Sequence, residues 1–231
     1  MTESSPSLLL PGKKDPFAAY PNQKYQANSK LSGECFYCTH NASARCVSST
    51  LFGSKNLDGG QAELVRVPKA NSTLVRAPDT VSSQALLLMA DIFPTGYFGV
   101  KSALELSTRQ DVRTMTIVVV GCGPVGLCSV VAAAHLKPKH LFAVDMVDSR
   151  LEKARELGAE TFHSMRDVQA MTARIMDVTD GRGADAVIEV VGLSPALRTA
   201  FDLVRPFGVI SSIGLHNAEV GSPIHTGAYL R

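Results

Sequence analysis

At 231 residues, with 45% apolar and 19% charged side chains, the chain is long enough for a full hydrophobic core and too balanced for a disordered or fibrous protein. A formal net charge of +2 gives no footing for nucleic acid or an anionic membrane. No apolar run approaches the roughly 18 residues that span a bilayer. Five cysteines in this length do not make a disulfide scaffold, so a reducing, cytoplasmic setting is expected.

The opening segment, Met1-Thr2-Glu3-Ser4-Ser5-Pro6, has an acid where a secretory leader carries cations, and Leu8-Leu9-Leu10 is too short for its apolar core. Pro6, Pro11, Pro16 and Pro21 stand among polar side chains with no strand or helix period, which predicts a poorly ordered segment over residues 1–30. Residues 31–80 are turn-rich with short apolar pieces, an irregular β pattern around three cysteines. The spacing Cys35-x2-Cys38-x7-Cys46 has zinc-ligand character, because closely spaced thiolates favour a tetrahedral Zn²⁺. Ser32 stands where a fourth cysteine would complete the loop, and a hydroxyl is a poor zinc ligand because its proton is hard to remove. Two readings stay open: zinc held by three sulfurs, or a degenerate loop of free thiols. His40 could join only if the loop rearranged.

An apolar run over 83–91, ending at Asp91, predicts a helix. From residue 115 strand and helix patterns alternate. Strands are expected at 116–120, 141–145, 160–162, 185–190 and 207–213, and helices at 124–136, 149–157, 166–178 and 194–204. Such alternation implies parallel strands joined by crossover helices, an α/β fold. The strand Thr116-Ile117-Val118-Val119-Val120 runs into Gly121-Cys122-Gly123-Pro124-Val125-Gly126, and a second strand ends at Asp145. Strand, glycine turn, helix and an acid about 20 residues on form the pattern of a dinucleotide site. Gly121 makes the turn, Gly123 lets the backbone approach a pyrophosphate, and Gly126 lets the helix pack close. The helix N-terminus offers free N–H groups to the phosphates, and the Asp145 carboxylate can bond a ribose hydroxyl. The last strand ends near Ile213-Gly214, and His216 follows it.

Together these pieces resemble the zinc-containing medium-chain alcohol dehydrogenases, in particular the fungal zinc-type and glutathione-independent formaldehyde dehydrogenase branch. The matching stretches are Gly33–Cys38, Leu57–Pro68, Met89–Tyr97, the glycine turn with Asp145, Gly183–Gly192 and Arg205–Asn217, in that order. The resemblance implies a doubly wound Rossmann domain over 93–217, preceded at 31–92 by the remnant of a GroES-like β catalytic lobe and followed by a short tail at 218–231. It also implies NAD and zinc as cofactors and hydride exchange with a small alcohol or aldehyde. Asp91 matches a catalytic-zinc ligand, Cys35, Cys38 and Cys46 match structural-zinc ligands, and Thr95 and Val125 match residues that pack on the nicotinamide. Gly121, Gly123, Pro124 and Gly126 match the phosphate turn, Asp145 and Arg150 the ribose site, and Ile213 and Gly214 the cofactor wall.

The same resemblance implies an N-terminal lobe with a zinc cysteine and a Gly-His-Glu segment, and residues 1–31 contain no Cys and no His. The expectation is therefore a chain truncated at both ends relative to that family, with an intact cofactor half, an incomplete catalytic zinc site and weak turnover. Three readings stay open: an active dehydrogenase, against which the missing ligands speak, a nucleotide-binding pseudoenzyme, and an incomplete gene product. The oligomeric state stays open, and a homo-oligomer is compatible with it.

Overall fold

A computed structural model of the chain describes residues 25–26, 29–30, 32–40, 42–109 and 111–216. Of the segment 1–30, expected to be poorly ordered, residues 1–24 lie outside the described residues, as does the tail at 218–231, while Tyr25–Gln26 and Ser29–Lys30 are short strands and correct that expectation. The structure divides into two compact units at the Asp91–Ile92 boundary.

The first unit is built from short pieces. They are β1 (Tyr25–Gln26), β2 (Ser29–Lys30), α1 (Phe36–Thr39), β3 (Thr50–Leu51), α2 (Ala70–Thr73), β4 (Val75–Arg76) and α3 (Ser83–Met89). β1 pairs antiparallel with β4, and β2 with β3. α3 begins where the apolar run predicts a helix, because the Ser82 hydroxyl accepts the Ala85 N–H at 3.2 Å and caps it.

The second unit opens with α4 (Ile92–Leu106), which the sequence reading did not anticipate. Then follow β5 (Thr116–Val120), α5 (Pro124–His135), β6 (His140–Asp145), α6 (Asp148–Glu156), β7 (Glu160–His163), α7 (Val168–Val178), β8 (Ala184–Glu189), α8 (Ser194–Leu203) and β9 (Val204–Ser212). The five strands form one parallel sheet in the order β7-β6-β5-β8-β9. This is the doubly wound order, with the switch point between β5 and β8. β5 and β8 are buried along their whole length, which is why they read as unbroken apolar runs rather than alternating ones.

Their alternate side chains still serve two different layers. Ile117 and Val119 pack with Val100 and Ala103 of α4, Val130 and Ala133 of α5 and Leu151 of α6. Val118 and Val120 pack with Met171 and Ile175 of α7 and Ala200 and Leu203 of α8. Each fully buried valine, leucine, isoleucine or methionine among them contributes about 1.5–3 kcal/mol relative to exposure. At the N-terminal edge of the sheet the buried Asp185 accepts the Thr116 N–H at 2.8 Å and pairs with Arg205 at 2.7 Å. That acid ties β5, β8 and β9 together at the end away from the glycine turn.

Candidate functional site

The glycine turn lies at the C-terminal end of β5, beside the switch point. Gly121 has φ +98°, a backbone that side chains rarely adopt, and its N–H bonds the Val144 carbonyl at 2.8 Å. A Cβ on Gly126 would stand 1.9 Å from the Gly121 oxygen, so only glycine lets α5 begin this close to the strand. Gly123 is different. It has an ordinary φ of −66°, and a Cβ there would meet nothing within 4 Å. The space in front of Gly123, at the N-terminus of α5, is open. Pro124 takes the first helical position, where no N–H is needed, and Val125 is half-buried behind it.

Asp145 ends β6 next to this turn and is buried. Its carboxylate accepts the Cys122 N–H at 2.6 Å and the Val147 N–H at 2.9 Å. Arg150, half-exposed in the first turn of α6, stands 3.8 Å from the same carboxylate. Two amides occupy two of about four lone-pair positions, so the group can still accept a hydroxyl. The Cys122 thiol in the turn is pushed up to about 12 by burial and then by the Asp145 charge. It is a space filler, not a nucleophile.

Thr95 is half-buried in the first turn of α4, next to Gly96, where a Cβ would lie 2.7 Å from the Val125 carbonyl. The Ser129 hydroxyl donates to the Gly96 carbonyl at 3.2 Å. α4 and α5 thus meet backbone to backbone at Gly96, the residue after Thr95. Ile213 and Gly214 lie just past β9, and both donate their N–H to the Glu189 carbonyl, at 2.9 and 3.2 Å. The structure therefore gathers Thr95, Gly121, Gly123, Pro124, Val125, Gly126, Asp145, Arg150, Ile213 and Gly214 around the C-terminal edge of one sheet.

In the first unit the three thiols of Cys35, Cys38 and Cys46 lie within 4.8 Å of one another. Ser32 completes the group. Its N–H donates to the Cys46 sulfur at 3.2 Å, and its hydroxyl lies 3.4 Å from Cys46 and 3.7 Å from Cys38. The Cys38 and Val47 N–H groups help to lower Cys35 to about 6, with the Cys38 amide first. Ser32 lowers Cys46. Cys38 ends above its ordinary value: the Ser32 hydroxyl pulls it down, but burial and the neighbouring thiols raise it further. Three of the four donors suit a soft divalent ion, and the fourth is a neutral hydroxyl. His40 turns away, its Nδ1 2.8 Å from the Phe36 carbonyl. Asp91 is exposed at the α3–α4 junction, and among the described residues no group of three metal donors includes it.

Two residues of the site escaped the sequence reading. Glu189, at the end of β8, is fully buried, and Ser212 ends β9 beside it. The available signal was a charged residue inside the apolar run Val187-Ile188-Glu189-Val190-Val191, a position that a strand buried on both faces fills with an acid only when partners await it.

Comparison with known proteins agrees with this geometry. Residues 124–229 match the family model described as zinc-binding dehydrogenase. That stretch is a zinc-binding dehydrogenase domain. It is 56% identical over 188 residues to the zinc-type alcohol dehydrogenase B of Aspergillus flavus, covering 81% of this chain and 44% of that protein. It is 55% identical over 188 residues to the medium chain reductase/dehydrogenase ucsI of an Acremonium species, covering 81% and 64%. Among solved structures it superposes on the alcohol dehydrogenase TADH from Thermus sp. ATN1 with a TM-score of 0.75 and 31% identity, over 84% of this chain and 56% of that one. The chain thus spans about half to two thirds of the length of these relatives. The zinc-binding dehydrogenase fold accounts for the parallel five-stranded sheet as a Rossmann domain. Among the described residues no helix is long and apolar enough to cross a membrane.

Proposed function

We propose that the chain binds NAD(H) at the C-terminal edge of its parallel sheet and serves the hydride exchange of an alcohol dehydrogenase, with a small alcohol or aldehyde as substrate, in the cytoplasm. The observation that carries this reading is the open space at Gly123, set between the N-terminus of α5 and the Asp145 carboxylate. A pyrophosphate fits that space and meets free N–H groups. Asp145 accepts a ribose hydroxyl, while a 2′-phosphate beside it would be repelled. Arg150, close to the same carboxylate, softens that repulsion by pairing with a phosphate. Residues 93–217 form the cofactor domain in this reading, and residues 31–92 belong to the catalytic lobe. The nicotinamide supplies the hydride chemistry. This chain's residues bind and orient it, with Thr95 and Val125 against one side and Ile213 and Gly214 against the other.

Zinc fits Cys35, Cys38 and Cys46 as a structural ion that would add to the stability of the loop. A catalytic ion requires about three protein ligands, and Asp91 has no such company among the described residues. Alcohol turnover by the 231-residue chain alone is accordingly expected to fall well below the roughly 10 s⁻¹ of a median enzyme. Calorimetric titration tests the cofactor assignment. NADH should bind more tightly than NADPH, and equal affinity or tighter NADPH binding would contradict it.

A further inference from the structure

The buried Glu189 carboxylate is the hub of the half of the cleft beyond the switch point. One oxygen, Oε1, accepts the Val191 N–H at 2.8 Å and the Gly192 N–H at 2.7 Å. The other, Oε2, accepts the Ser212 hydroxyl at 2.6 Å and lies 3.4 Å from His216 Nε2. Its main-chain carbonyl holds Ile213 and Gly214. A single residue therefore fastens the loop after β8 and the loop after β9. These loops cross without room to spare. A Cβ on Gly214 would stand 2.1 Å from the Gly192 nitrogen, and one on Gly192 would stand 2.4 Å from the Leu215 oxygen.

The hydrogen bonds also fix a direction. A carboxylate only accepts, so the single proton of Ser212 goes to Glu189. The Ser212 oxygen, 3.0 Å from His216 Nε2, must then receive a proton from it. Neutral His216 is held with its proton on Nε2 and its lone pair on Nδ1.

We propose that Glu189 is the positioning residue of the nicotinamide half of the site, and that it orients His216 through Ser212 so that the crossed loops 190–192 and 213–216 present a fixed wall to the nicotinamide. This rests on the reading of the cleft as an NAD(H) site. Glu189 and His216 need not touch the adenosine half, which is built by Asp145 and the turn on the other side of β5.

The test uses the full chain, titrated with NADH and with ADP-ribose, which lacks the nicotinamide. Glu189→Gln is nearly the same shape. Its oxygen would keep the two loop amides and its NH₂ would donate to Ser212, so the chain of hydrogen bonds reverses and the His216 proton moves to Nδ1. Nitrogen-15 spectra of the imidazole should show the Nε2–H form in the wild type and the Nδ1–H form in Glu189→Gln. NADH affinity should fall about tenfold or more in Glu189→Gln and His216→Gln, with ADP-ribose affinity held within about twofold. If Glu189→Gln fails to fold, Ser212→Ala gives the same split and frees the tautomer. Parallel loss of both ligands, or an unchanged tautomer, overturns the proposal while the cofactor reading stands. If the wild type binds neither ligand, the cofactor reading falls and the proposal with it.

Discussion

At the scale of single residues, Asp145 supports the turn and, in the proposed reading, also recognises the cofactor. Its carboxylate holds the Cys122 and Val147 amides, and the proposed ribose contact would use the same group, so Asp145→Ala removes the acceptors of both. Leaving buried N–H groups unpaired costs about 1–3 kcal/mol. The variant should melt at lower temperature and lose most of its preference for NADH over NADPH. A preference that survives the substitution would show that another residue reads the ribose. The register of Asp145 was legible because strand, turn, helix and acid follow one another along the chain. The roles of Glu189 and Ser212 were not, since they are 23 residues apart and meet only once β8 and β9 pair. An acid inside an apolar run reads as strand filler until its partners are known.

Elements show where local preference yields to packing. α4 begins Ile92-Phe93-Pro94-Thr95-Gly96, and a proline and a glycine so close together argue against a helix. Pro94 sits in the first turn, where its missing N–H costs nothing. Gly96 is there because α5 approaches too closely for a Cβ. The predicted strand at 207–213 starts three residues earlier, at Val204, and carries an irregularity in its pairing with β8 between Ala184 and Ala186. Within it Phe207 adopts φ +58° with 89% of its surface exposed. A left-handed non-glycine residue costs about 1–2 kcal/mol, and glycine's extra chain entropy returns about 0.5–1 of that. Phe207→Gly should therefore raise unfolding stability by roughly 0.5–1 kcal/mol, read by denaturant titration. A loss of stability would mean that the ring packs on something. In the cysteine loop, Ser32→Cys supplies the fourth thiolate, since the Ser32 hydroxyl already sits beside two of the sulfurs. Zinc affinity, measured by competition with a chelator, should rise by more than the roughly 10–100-fold that an outer partner is worth. An unchanged affinity would show that the three existing thiols do not hold the metal together.

For the whole molecule, the fold class was legible because a parallel sheet buried on both faces writes itself as short apolar strands between helices. The division of labour was less so. The glycine turn, Asp145 and Glu189 all lie within the second unit, whereas the described part of the first unit offers one cluster of metal-ligating type, at Cys35, Cys38 and Cys46. In the proposed reading the cleft takes NAD(H) through the open backbone at Gly123. Gly123→Ala separates binding from folding, because its Cβ enters empty space at an ordinary φ. Replacing glycine by alanine at a helix N-cap costs about 0.5–1.5 kcal/mol. The decisive measurement is calorimetric titration of NADH into the wild type and Gly123→Ala, with the melting temperature of each recorded alongside. Tight binding to the wild type, and at least tenfold weaker binding to a Gly123→Ala chain that melts within a few degrees of it, is the predicted result. Equal NADH affinity in the two proteins would contradict it.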